Sequence, residues 1–342
     1  MKLDFLPSDY LIWFLFFMCI IAAFWIRTQP HYCEPWKQVF RKKTAIISCI
    51  VLCIYIIVGL LDSIHLNIAN QQKSVLDLLI RNLNAHDETT YTAPFSTAHL
   101  HVFGTNKIGQ DMLYETIKSI RTGLIIGTLT TVFMLPFALF LGMIAGYFGG
   151  FVDDAIQYLY TTLSSIPGVL LITAMVLVMQ VFISNHASLF PTIADRADAR
   201  LLSLCFILGI TSWASLCRFL RAETLKLREQ DFVTASIAMG ARRMSIIIRH
   251  ILPNVMHIVI ITIVLDFSGL VLAEAILSYV GVGVDPTTPS WGNMINTSRL
   301  ELAREPMVWW PLLAALIFMF FLVLAANLFA DNVRDAFDPR VN

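Results

Sequence analysis

Seven apolar runs set the pattern of this chain: residues 10–26, 44–62, 119–146, 156–183, 201–219, 255–280 and 311–330. Each comes close to or exceeds the roughly 20 residues that a helix needs to cross a hydrocarbon core of about 30 Å. One long run breaks the pattern. Residues 226–254 are polar, basic and helix-patterned. Phe232, Ala235, Ser236 and Met239 recur at three- and four-residue spacing, which predicts one helical face. Gly240 then interrupts, as glycine does where a helix ends in a left-handed conformation. Met244, Ile247, Ile248 and Ile251 mark the face of a second helix, with Arg242, Arg243 and Arg249 placed elsewhere on it. Pro253 limits how far that helix continues unkinked. The expectation is a helix–glycine–helix hairpin at the membrane surface.

Composition narrows the class. Of 342 residues, 57% are hydrophobic and 14% charged, outside the range of a soluble domain. The predicted fold class is an all-α polytopic membrane protein with about seven transmembrane helices. Arg27, Lys37, Arg41, Lys42 and Lys43 crowd the link before the second run, which places that link in the cytoplasm and the N-terminus outside. A signal peptide is the competing reading of 10–26. Against it, Lys2 is the only early base, and Asp4 and Asp9 offset it. The expected organisation is an N-terminal helix with its cytoplasmic link (1–43), a first core helix and extracytoplasmic segment (44–118), a core (119–333) and a cytoplasmic tail (334–342). Formal net charge is zero, and nothing indicates a nucleic-acid partner. None of the six cysteines falls in a segment placed outside, so no disulfide framework is implied.

Finer features follow along the chain. Val75, Leu78, Leu79 and Leu83 suggest a short amphipathic helix outside. His86, His99 and His101 are read as surface histidines, since no carboxylate or cysteine joins them at ligand spacing. The glycines of 103–111 have P-loop spacing, but Gln110 and Asp111 stand where the phosphate-binding Lys and the Ser/Thr must be. Gly123, Gly127, Gly142 and Gly146 predict close helix approach, and Pro136 a kink. Residues 184–200 are expected to be an exterior loop. Asp266 and Glu274 lie deep in the 255–280 run, where an ionisable group is a functional candidate by default. For Glu274 a structural role is the favoured reading. The prolines and glycines of 277–294 predict an ordered irregular loop.

Several motifs, in order, resemble the second-type permease of bacterial dipeptide and oligopeptide ABC importers. Gly240 and the run His250-Ile251-Leu252-Pro253-Asn254 resemble the cytoplasmic coupling loop of that family. Thr234-Ala235-Ser236 stands near the family's acidic-Ala-Ala triplet, with Thr234 replacing the acid. Residues 103–111 resemble its Leu-Gly-Thr-Asp-x-x-Gly-Arg-Asp signature, with Asn106 and Gln110 as a neutral pair in place of Asp and Arg. Residues 145–153, Ser165-Ile166-Pro167, 277–294 and 330–340 match further family motifs.

The resemblance implies an importer-permease core with one extra N-terminal helix, in the bacterial cytoplasmic (inner) membrane. It implies a heterodimer with a second permease, two ABC ATPase subunits and an extracytoplasmic substrate-binding protein. ATP and Mg would be bound by the ATPases, so no cofactor and no enzymatic activity are expected in this chain. The implied coupling residues are Phe232, Thr234, Ala235, Ser236, Met239, Gly240, Arg242, His250, Leu252, Pro253 and Asn254. Asp266 and Glu274 remain the candidates for the translocation path. A nickel or metal-chelate importer is the alternative substrate reading. From another class, a secondary transporter or channel would carry its own coupling charges and internal repeats. An embedded hydrolase is disfavoured, since G-x-S-x-G and H-E-x-x-H are absent.

Overall fold

The computed structural model describes residues 2–3, 6–28, 30–68, 71–80, 90–95 and 101–337. Helices dominate: α1 (Pro7–Thr28), α2 (Pro30–Val39), α3 (Lys43–Asp62), α4 (Val75–Leu79), α5 (Met112–Phe148), α6 (Gly150–Ser165), α7 (Gly168–Asn185), α8 (Ile193–Leu227), α9 (Asp231–Ala238), α10 (Arg243–Ile246), α11 (Leu252–Tyr279), α12 (Trp291–Glu301) and α13 (Trp310–Phe337). A π-helical turn, Ile247–Ile251, joins α10 to α11. Among the described residues, six helical stretches are long and apolar enough to span: α3, α5, α7, α8, the continuous Arg243–Tyr279 and α13. The apolar part of α1, Pro7–Ile21, is a shorter seventh.

Several boundaries differ from the apolar runs. α5 has 37 residues, about 55 Å of helix, so it outreaches the hydrocarbon core. It stays helical through Pro136. The 156–183 run is two helices, because the chain turns extended at Ile166 and Pro167 before α7 begins. The expected exterior loop 184–200 shrinks to 186–192. Thr192 and Asp195 form a capping box that starts α8 at Ile193, ahead of its apolar stretch.

α5 and α8 form the centre of the molecule. Their axes approach closely because Gly142 and Gly146 present no side chain to α8. A Cβ on Gly142 would sit 2.8 Å from the Cys217 carbonyl, and one on Gly146 2.7 Å from the Arg221 carbonyl. Val255 and Val259 of α11 complete the half of this core nearest the hairpin. Leu277, Val282 and Val284 close its opposite half.

The N-terminal segment 6–43 is tied in near both ends. Asp9, fully buried, accepts from Arg121 Nη2 at 2.6 Å and from Ser63 Oγ at 3.0 Å, and meets His65 Nδ1 at 3.1 Å. Ser8 is buried beside it. Strand β1 (Lys2–Leu3) pairs antiparallel with β2 (His65–Ile68), which pairs with β3 (Gln71–Ser74). This small sheet is the element that helical periodicity gave no sign of. At the opposite end Val39 packs on Val333 and Ala336, and Lys42 Nζ reaches Asp335 at 2.7 Å. Residues 30–43 therefore share one end of the bundle with the C-terminal tail, while Asp9 shares the other with residues 63–74.

The exterior segment corrects one expectation. His101 is buried and pairs with Asp111, the N-cap of α5, rather than lying on the surface. Leu83, His86 and His99 fall outside the described residues.

Candidate functional site

The hairpin segment starts where α8 stops. Arg228–Gln230 form a turn, closed by Gln230 N–H donating to the Leu227 carbonyl at 3.1 Å. A turn therefore separates the hairpin from α8. α9 follows and ends at Gly240, whose φ of +80° lies in the left-handed region. Gly240 N–H donates to the Ile237 carbonyl at 2.9 Å, and Ala241 N–H to the Ser236 carbonyl at 3.1 Å. Together these bonds make a Schellman cap, which needs a residue without a Cβ penalty at its left-handed position.

The return limb is continuous. From Arg243 the helix runs through the π turn into α11, one rod of 37 residues. Pro253 explains the π turn's place. Its ring removes one N–H and crowds the preceding turn, and a local shift to i→i+5 bonding absorbs the mismatch: Leu252 N–H donates to the Ile247 carbonyl.

The predicted faces are partly redistributed. Phe232, Ala235 and Met239 are exposed, Met239 to 81%, whereas Ser236 is buried with Val233 and donates back to the Phe232 carbonyl. On the return limb Ile247 and Ile251 are buried, joined by Ile246, while Met244 and Ile248 stay exposed. Thr234, Gly240, Arg242, Pro253 and Asn254 are exposed, and His250 and Leu252 half-buried. The His250 ring lies 6.4 Å from that of Phe232, across the hairpin. An apolar surface of Phe232, Ile237, Met239, Met244 and Ile248 thus faces outward with Arg242 and Arg243 beside it. Behind it a cleft of about 460 Å³ opens against Phe148, Arg228 and Arg243.

Two contacts brace the hairpin's base, and spacing alone gave no signal for either. Arg221 grips both carboxylate oxygens of Asp153 at the start of α6. The guanidinium holds the Asp153 carboxyl below the usual carboxylate range, with burial opposing it. Arg228 Nη1 donates to the Gly146 carbonyl at 3.4 Å.

The two deep carboxylates part company. Glu274 is 2% exposed and accepts from Ser278 Oγ at 2.6 Å. Gly292 of α12 packs against Ser278 and Ala275, and buried Trp291 donates to the Thr116 carbonyl at 3.1 Å. Glu274 thus sits where the 280–290 loop folds back onto α11. Asp266 is half-buried and engages no described partner. Beyond the end of α11, Asp285 pairs with Arg200 near the start of α8. Burial raises the Asp285 carboxyl, but bonds from Thr287 and Arg200 outweigh it and leave it lowered. Asn106 and Gln110 do pair, Nδ2 to Oε1 at 3.0 Å, and Asn106 Oδ1 accepts the Ile108 and Gln110 N–H groups.

Comparison with known proteins agrees with this geometry. Residues 138–342 match the family described as binding-protein-dependent transport system inner membrane component. The dipeptide transport system permease protein DppC of Lactococcus lactis is 31% identical over 71% of this chain, which spans only 64% of that relative's length. The oligopeptide transport system permease protein OppC of Mycobacterium bovis is 30% identical over 70% of this chain and 76% of its own. DppC of Alkalihalophilus pseudofirmus is 27% identical over 90% and 91%. With six helical stretches among the described residues long and apolar enough to span, a capped hairpin and this match over more than half its length, the chain belongs to the family of binding-protein-dependent transport system inner membrane components.

Proposed function

We propose that this chain is one of two permease subunits of an ATP-driven importer of di- and oligopeptides. The observation that carries the reading is the hairpin 226–254, whose return limb, with Met244 and Ile248 exposed, is continuous helix with a membrane span. The names of the relatives favour peptides over nickel as cargo. The partners are a second permease, two ATPase subunits that bind ATP and Mg, and an extracytoplasmic binding protein.

The mechanism follows from the asymmetry of the hairpin. An ATPase subunit holds Phe232, Ala235, Met239 and Met244. Met244 lies on the continuous stretch Arg243–Tyr279 itself, and α9 hands its motion to that rod through the turn at Gly240–Arg242. The turn at Arg228–Gln230 lets α9 pivot without dragging α8, while the Arg221–Asp153 pair keeps α8 and α6 together. Such a rod on a hinge is the discrete two-state element that coupling between distant sites requires. Asp266 lies on the rod and Glu274 further along it, so both move with the motor.

The complete importer in proteoliposomes tests this reading. Uptake of a labelled tripeptide should need ATP and binding protein and should survive collapse of ion gradients by an ionophore. Uptake driven by a gradient without ATP would move the chain to the secondary transporters.

A further inference from the structure

The geometry points to Asp266 as the group in the translocation path that receives the cationic groups of a passing peptide. The inference rests on the peptide-importer reading above and assigns that path a chemistry. Asp266 lies 12 residues beyond Asn254, about 18 Å of helix, past the midpoint of a hydrocarbon core of about 30 Å. Its neighbour Phe267 packs its ring onto Gly127 of α5, which fixes this level inside the bundle. Three carboxylates near the ends of the bundle find cations: Asp9 has Arg121, Asp153 has Arg221 and Asp285 has Arg200. Glu274 has Ser278. Asp266, half-buried, is bonded by none of the described residues.

Its surroundings fit passage rather than a fixed contact. Thr262, Asp266, Gly269 and Ala273 fall at four-, three- and four-residue spacing, one line along α11. The Thr262 hydroxyl is already committed to the Ile258 carbonyl, so it does not serve the carboxylate. Gly269 is exposed, and a Cβ there would meet nothing within 4 Å. A line of small side chains therefore leaves room beside a single charge. A carboxylate at this depth is costly unless it faces water or a cation. Every unblocked peptide brings an ammonium at its amino terminus, and lysyl peptides bring a second. One carboxylate without a neighbouring acid attracts such a group and still releases it.

The test compares ATP-driven uptake of Ala-Lys-Ala and Ala-Glu-Ala by the complete importer, each supplied as saturated binding protein. Wild type should favour the lysyl peptide. Asp266→Asn should lower that preference about tenfold, the weight of one charge-assisted hydrogen bond, and Asp266→Glu should keep it. An unchanged preference in Asp266→Asn, even with both rates reduced, overturns the proposal. Failure of Asp266→Asn to assemble overturns it too, because the carboxylate then belongs to a contact with the second permease. Absence of ATP-driven uptake of either peptide by wild type is a different failure, that of the peptide reading itself.

Discussion

Arg221 and Asp153, far apart in sequence, meet through two hydrogen bonds, with Nη2 to Oδ2 at 2.6 Å. The pair ties the last turns of α8 to the first turn of α6, just ahead of the hairpin.

Asp153→Asn should destabilise the folded chain by about 1–2 kcal/mol, between an exposed ion pair and a buried charged hydrogen bond. The sign with pH is set by the lowered pKa of Asp153. Its contribution is present above the unfolded value of about 4 and is lost as pH falls through the lower folded value. Thermal midpoints of wild type and Asp153→Asn should differ at pH 7 and converge in acid. Curves that stay parallel down to the acid end would remove the ion pair from the account.

Gly146→Leu should separate α5 from α8. The first added carbon meets the Thr224 Cβ at 2.6 Å and the Arg221 carbonyl at 2.7 Å, and neither is the end of a flexible side chain. Overpacking of this kind costs about 1–3 kcal/mol. Gly240→Leu provides the contrast, since a Cβ there meets nothing within 4 Å and the cost is conformational only. Thermal unfolding in detergent should rank Gly146→Leu below Gly240→Leu. The reverse order would contradict the close packing.

Sidedness has its own check. Ile108 is 68% exposed at the end that holds Asp9, and Met239 81% exposed at the hairpin end. In a chain freed of its own cysteines, a cysteine at Ile108 should react with an impermeant thiol reagent on intact spheroplasts. One at Met239 should react only after permeabilisation. Ser8, near the N-terminus, cannot serve as reporter because it is fully buried. Equal labelling of both sites in intact spheroplasts would contradict the topology.

Spans, hairpin and family motifs were legible because each is local. Gly240 announces its own left-handed cap, and the apolar runs announce the six stretches long enough to span and the shorter apolar part of α1. What sequence hid was contact at long range. Nothing near Ser236 says that it turns inward while Phe232 and Met239 face outward, because that choice depends on the α10 and α11 residues packed behind it. The same holds for His101, which reads as a surface histidine until Asp111 folds against it. The Arg228–Gln230 turn was missed for another reason. Helix-forming residues run straight through it, and packing against α5 decides where α8 stops. The Ile166–Pro167 break was visible as a motif, but apolar residues on both sides made one span of two helices.

The central claim is that the hairpin passes motion from an ATPase to the span α11, and the ratio of peptide imported to ATP hydrolysed measures it directly. Gly240→Val places a β-branched residue at φ +80°, at a cost of about 1–2 kcal/mol to the cap. In proteoliposomes holding the complete importer, both quantities are read from the same vesicles. The account predicts that Gly240→Val lowers peptide imported per ATP several-fold while ATP hydrolysis persists, and that Gly240→Asn, tolerated in the left-handed region, restores most of the ratio. A wild-type ratio in Gly240→Val, in a complex that assembles normally, would contradict it.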